Sequence, residues 1–223
     1  MLRSLLLSLW VSSLATLAVV LAGGAAGYWL ARSRRRGKRL LELLFALPLV
    51  FPPTLTGYYM ILVLGRHGVL GGPLYALTGF QFTFHWAGAA LAAAVVSFPL
   101  MALSARAALE GVDPDLERAG LTLGRSRATV LVRVTLPLAW KGLAAGALLA
   151  FARALGEFGA TLMIAGNVPT MPVAIYRSWM SEGMEAAVPL VIAHTSLAVA
   201  VLGLALLLRD GARWRGKAGK ESA

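Results

Sequence analysis

Charge is scarce over most of this sequence, so the first residues to question are Arg153 and Glu157, four apart in an otherwise apolar stretch. At that spacing the two share a helix face and can neutralise one another. Either charge alone is costly in apolar surroundings, and the guanidinium can also meet an oxyanion. Structural pairing and a place on a permeation path both stay open. His194, beside Thr195 and Ser196, is a lone histidine that reads as a helix–helix hydrogen bond. His67 and His85 lie far from it, so no three-ligand metal set is expected. The absence of cysteine excludes disulfides, thiolate metal sites and thiol nucleophiles. No nucleophile stands at useful spacing from a base, and no Gly-x-x-x-x-Gly-Lys-Ser/Thr phosphate loop occurs. No catalytic residue, metal or bound cofactor is therefore assigned to this chain.

The elements that hold such residues must be apolar. Of 223 residues 58% are hydrophobic and 14% charged, against roughly a quarter charged in soluble domains, so the bilayer is the natural solvent. Stretches free of Asp, Glu, Lys and Arg run over 4–31, 43–65, 68–105 (with a break near His85), 142–152 and 186–208. About 20 apolar residues cross the hydrocarbon as a helix. The reading is an all-α integral membrane protein forming one domain over 1–223, with five spans near 5–31, 42–64, 87–109, 138–165 and 187–208. The first stretch is too long for a signal-peptide core and is followed by a dense basic cluster, a stop-transfer pattern.

Most basic residues gather in three places: Arg32–Arg39, Arg106–Lys141 and a tail at 209–223. Only Arg3, Arg66 and Arg177 fall on the other side. The positive-inside rule puts the N-terminus outside and the C-terminus in the cytoplasm, as an odd span count requires. The net charge of +11 is thus topological, and leaves no nucleic-acid footprint. Outside, 66–86 is dense in aromatics (Tyr75, Phe80, Phe82, Phe84, Trp86), as suits a lipid interface. A short helix near 172–182 is expected at the outer mouth, as an interfacial anchor or as a gate. Pro48, Pro52 and Pro53 fall inside the second span, where they remove donors and kink a helix, freeing carbonyls that Thr54 and Thr56 can partly satisfy. Such a kink suits a translocation wall, or a helix buried against a neighbour.

The cytoplasmic stretch 110–136 is far longer than a connector needs. Asp113-Pro114 marks a helix start, with Asp as N-cap and Pro at N1. Leu116, Ala119, Gly120 and Leu123 follow at helical spacing, Gly124 fits a C-terminal cap, and a second helix is expected over 126–135. A short capped helix laid along the membrane exposes a compact knob to a cytoplasmic partner.

Here a resemblance becomes specific. Ala119-Gly120-Leu121-Thr122-Leu123-Gly124, nine residues, then Val134-Thr135-Leu136-Pro137 resembles the signature loop of ABC importer permeases, with identical spacing. It departs in two places: Gly120 stands where the signature has alanine, and the acidic residue is Glu117, one position early, with Arg118 in its place. The stretches Leu47–Tyr59, Leu64–Gly68, Ser97–Met101, Leu109–Asp113 and Ala150–Thr161 are similar to molybdate importer permeases. Tungstate and sulfate permeases share much of this, and some relatives carry a further N-terminal span.

The resemblance implies a type I ABC importer permease that passes a tetrahedral oxyanion, molybdate before tungstate or sulfate. It implies ATPase coupling through Glu117, Ala119, Gly120, Gly124, Arg125, Arg127, Val134, Leu136 and Pro137. It puts Pro52, Pro53, Thr54, Thr56, Ser97, Arg153 and Glu157 along the pathway or its gate. The implied partners are a second copy in a homodimer, two cytoplasmic ATPases holding ATP and Mg, an extracytoplasmic oxyanion-binding protein and membrane lipid. A stand-alone secondary transporter would instead show coupling carboxylates and an internal repeat, yet only Glu157 is mid-span and no repeat is evident.

Overall fold

The computed structural model describes residues 1–33 and 37–218, with side chains through Gly203. The basic residues Arg34, Arg35 and Arg36 and the side chains of the 209–223 tail lie outside the described residues. Among the described residues every regular element is helical.

The first helix, α1 (Leu2–Arg32), is 31 residues long and apolar enough to cross a membrane. α2 (Lys38–Val50) and α3 (Pro53–Leu64) follow. A short α4 (Gly71–Thr78) occupies part of the aromatic outer segment. α5 (Trp86–Glu110) is the central span. α6 (Pro114–Thr122) is the cytoplasmic helix. α7 (Arg127–Val130), a π turn (Leu131–Thr135) and α8 (Leu136–Leu155) join without interruption into a helix over Arg127–Leu155. α9 (Gly159–Ala165), α10 (Met171–Glu182) and α11 (Met184–Ala218) complete the chain. Four of these helices are long and apolar enough to cross a membrane, and the α2–α3 pair makes a fifth crossing if taken as one broken span.

Close approach of small residues builds the core. α5 packs against both α1 and α8. A Cβ on Gly27 of α1 would lie 2.6 Å from the Ala102 carbonyl oxygen, and one on Gly146 of α8 would lie 2.6 Å from Ser104 Cβ. Glycine at these two positions lets three backbones approach where lipid gives helices no hydrophobic reason to associate. Alanines of α5 fill the seam, with Ala89, Ala92, Ala102 and Ala105 fully buried.

Three expectations need correction. The span at 42–64 is not one kinked helix: α2 and α3 are bent by 114°. Two consecutive prolines favour the break, because a proline disfavours the α region for the residue before it. Phe51 precedes Pro52 and Pro52 precedes Pro53, and both are extended, with ψ of 138° and 133°. The span at 138–165 stops at Leu155 and restarts at Gly159. The separate helix at 126–135 is instead the first part of the long helix ending at Leu155. Pro137 accounts for the π turn: it has no N–H for the Arg133 carbonyl and its ring crowds that turn, and the Leu136 N–H reaches back to Leu131 O.

Candidate functional site: a cytoplasmic coupling helix and a broken mid-membrane crossing

The cytoplasmic helix α6 is defined by its caps. An Asp113 carboxylate oxygen accepts from the Asp115 N–H at 2.9 Å, and Pro114 opens the helix. At the other end Leu123 is the C-cap and Gly124 takes φ +76°. The Gly124 N–H reaches Leu121 O at 3.0 Å and the Arg125 N–H reaches Gly120 O at 3.2 Å. That is a Schellman closure, which needs a left-handed residue after the cap. Ser126 then caps α7, its hydroxyl oxygen accepting from the Thr129 N–H at 3.2 Å. A Cβ at Gly120 would sit 2.9 Å from Val130 Cγ2, so glycine in place of the signature's alanine lets α6 fold closely onto α7. The outward face of α6 is apolar and exposed at Leu116, Ala119 and Leu123, with Arg125 and Arg127 exposed beside it. Val134 is half-buried, while Leu136 and Pro137 are exposed near the start of α8.

Glu117 turns the other way. Its Oε1 pairs with Arg32 at the end of α1 and accepts from the Thr135 hydroxyl at 2.7 Å. Sequence reasoning missed both partners. Arg32 is one of several cations in a basic run, and nothing local singles it out. A second cluster lies nearby: Arg106 of α5 pairs with Glu42 of α2 and with Glu110 at 2.9 Å, and Lys38 reaches Glu110 at 3.3 Å. These pairs fasten α1, α2 and α6 to the cytoplasmic end of α5 and to the π turn.

The second site lies where two crossings break. A Cβ on Gly159 would meet Pro53 Cβ at 3.0 Å and the Thr54 nitrogen at 3.2 Å, so α3 and α9 begin side by side. Glu157 lies in the break, past the end of α8. Its Oε1 accepts from the Ala160 N–H at 2.8 Å and so closes α9. Its Oε2 stands 2.7 Å from Arg153 Nη1. That approach is off the hydrogen-bonding direction, so Oε2 receives the charge but no hydrogen bond. Glu157 is buried, while the Arg153 side chain is 31% exposed.

Of the residues expected on a pathway, Pro52, Pro53, Thr54, Arg153 and Glu157 all belong to these two breaks. Thr56 is buried on the first turn of α3, and its hydroxyl has no hydrogen-bond partner among the described residues. Ser97 is fully buried within α5, where its hydroxyl donates to the Ala93 carbonyl at 2.7 Å. Nδ1 of His194 on α11 is likewise buried with no hydrogen-bond partner among the described residues, so the helix–helix hydrogen bond expected of it is not seen there.

The family described as "Binding-protein-dependent transport system inner membrane component" matches residues 20–213. This chain belongs to that family. It is accordingly a multi-pass inner-membrane protein. The Escherichia coli (strain K12) molybdenum transport system permease protein ModB is 43% identical over 225 residues, covering 99% of this chain and 96% of its own. ModB of Mycobacterium tuberculosis is 40% identical over 214 residues, 94% of this chain and 78% of its own. Among solved structures, the inward-facing MetNI methionine ABC transporter has a TM-score of 0.75 at 14% identity and covers 95% of each chain. A bacterial ABC transporter involved in alginate import has a TM-score of 0.75 at 15% identity, over 94% of this chain and 78% of that one. At those identities the likeness is one of fold: the all-α type I importer permease.

Proposed function

We propose that this chain is the channel-forming subunit of an ATP-driven importer that carries a tetrahedral oxyanion, molybdate, across the cytoplasmic membrane. The observation that carries this reading is the near-full-length likeness to the molybdenum permease of Escherichia coli. Two copies form the pathway at their interface. Each seats the apolar face of α6, with Ala119, Arg125 and Arg127, on one cytoplasmic ATPase, while Gly120 holds that helix close against α7. Gly124 fixes where the helix ends. Glu117, Val134, Leu136 and Pro137 tie its motion to the spans. ATP and Mg are held by the ATPases, and this chain makes and breaks no bond. A separate binding protein delivers the anion at the outer mouth. ATP binding draws the ATPases together, and the paired α6 helices carry that movement into exchange between inward-facing and outward-facing states. The broken crossing at Pro52–Thr56 and Gly156–Gly159 lets the wall move, and the half-exposed Arg153 guanidinium meets the passing anion without holding it.

The test is uptake of radiolabelled molybdate by proteoliposomes carrying this chain, its ATPase and its binding protein. Uptake is expected only with all three and ATP, and with sulfate a weak competitor. Uptake driven by an ion gradient without the ATPase overturns the importer reading. Preference for tungstate or sulfate keeps the importer and replaces the anion.

A further inference from the structure

α1 is fastened at both ends, and the two fastenings lie on opposite sides of the membrane. At the outer end the Ser8 side chain is buried and its hydroxyl oxygen accepts from the Met171 N–H at 2.7 Å. Met171 opens α10, whose N-cap Thr170 makes no side-chain capping bond, and the following Pro172 has no N–H. The first turn of α10 is therefore completed from α1. At the inner end Arg32, the last residue of α1, pairs with Glu117 in the middle of α6. Between the fastenings α1 is one helix without a proline. From Ser8 to Arg32 it spans about 36 Å at the standard helical rise. α10 packs on α1 as well as on its neighbour α11, and its Tyr176 ring meets Phe158 at 5.2 Å.

We propose that α1 is a strut between the coupling helix and the outer mouth, with Arg32 and Ser8 as its positioning residues. A hydrogen-bonded helix resists compression and moves as a body, so displacement of α6 pulls on Arg32 and reaches α10 through Ser8. Shifts of about 1–2 Å are the usual scale for packed helices in such transitions. Nothing about α1's composition marks this duty. Its sequence reads as a membrane anchor, and only the two end contacts give it a mechanical role. The proposal rests on the transport reading.

The absence of native cysteine makes the test direct. Met180 on α10 is 63% exposed, and Met180→Cys supplies a reporter for a membrane-impermeant maleimide. The complete complex, reconstituted with its ATPase and binding protein, is labelled with and without a non-hydrolysable ATP analogue. The nucleotide is expected to change the labelling rate. In Arg32→Ala and in Ser8→Ala that change is expected to fall below half, while ATP hydrolysis stays at the parental rate. The exchange Arg32→Glu with Glu117→Arg is expected to restore it. An undiminished change in both single variants overturns the strut. A parent complex whose labelling ignores nucleotide overturns the transport reading beneath it. If Arg32→Ala fails to assemble, Ser8→Ala decides alone, because it lies at the far end from the ATPase.

Discussion

At the scale of single residues, Gly124 and Glu157 carry the sharpest consequences. Gly124 holds φ +76° with nothing within reach of an added Cβ, so a substitution there acts through backbone conformation and not through a clash. A left-handed non-glycine residue costs about 1–2 kcal/mol, and a β-branched one more. Gly124→Val is expected to displace the end of α6 and lower molybdate uptake per ATP hydrolysed, with the protein still inserted. Parallel assays of hydrolysis and uptake read the ratio, and an unchanged ratio counts against α6 as the lever. Glu157 does two things at once, closing α9 and neutralising Arg153. Glu157→Gln keeps an acceptor for the Ala160 N–H and loses the charge, whereas Glu157→Ala loses both. Thermal unfolding in mild detergent is expected to rank parent above Gln above Ala. The deficit should fall short of the roughly 3–5 kcal/mol of a fully buried pair, because Arg153 is 31% exposed and its charge is partly screened. Equal melting of the two variants shows that the cap contributes nothing.

At the scale of elements, the bent second crossing is a statement about prolines. A following proline disfavours the α region for both Phe51 and Pro52, and these two extended residues stand between α2 and α3 where the axis turns by 114°. Replacing Pro52 and Pro53 together by alanine lifts both restrictions. Spin labels at Leu43 and Leu62, 60% and 50% exposed, would stand about 28 Å apart in a straight helix. The double variant is expected to lengthen the separation toward that value and to lose uptake. A distance that does not move shows that packing against α9, and not the prolines, holds the bend.

Across the whole molecule, the fastenings sort onto two ends. Ser8, α4 and α10 share one end with the start of α5. Arg32, Lys38, Glu42, Arg106, Glu110 and Glu117 share the other, which also carries α6. With the basic excess on the second end, that end is cytoplasmic. Leu77 and Leu123 are 85% and 81% exposed at opposite ends. In intact cells an impermeant maleimide is expected to label Leu77→Cys at once and Leu123→Cys only after permeabilisation. The reverse pattern would invert the topology.

What the sequence determined by itself follows from rules that act within a few residues or on composition. Membrane residence and orientation came from the sum of apolar and basic residues. Asp113-Pro114 and Gly124 marked the ends of α6, because capping is a matter between chain neighbours. The spacing from Gly124 to Pro137 carried the family, and the distance from Arg153 to Glu157 carried their pairing. Tertiary structure decided the rest. A pair of prolines announces a break but not its angle, which depends on what α3 packs against. Arg32 is separated from Glu117 by 85 positions and Ser8 from Met171 by 163. Any arginine of the basic run, or any of several serines in α1, satisfies the same local rules. Only the packing of α1 on α5 brings these particular two to α6 and α10, because a contact across the chain is selected by which backbones lie side by side and not by the residue's neighbours in sequence.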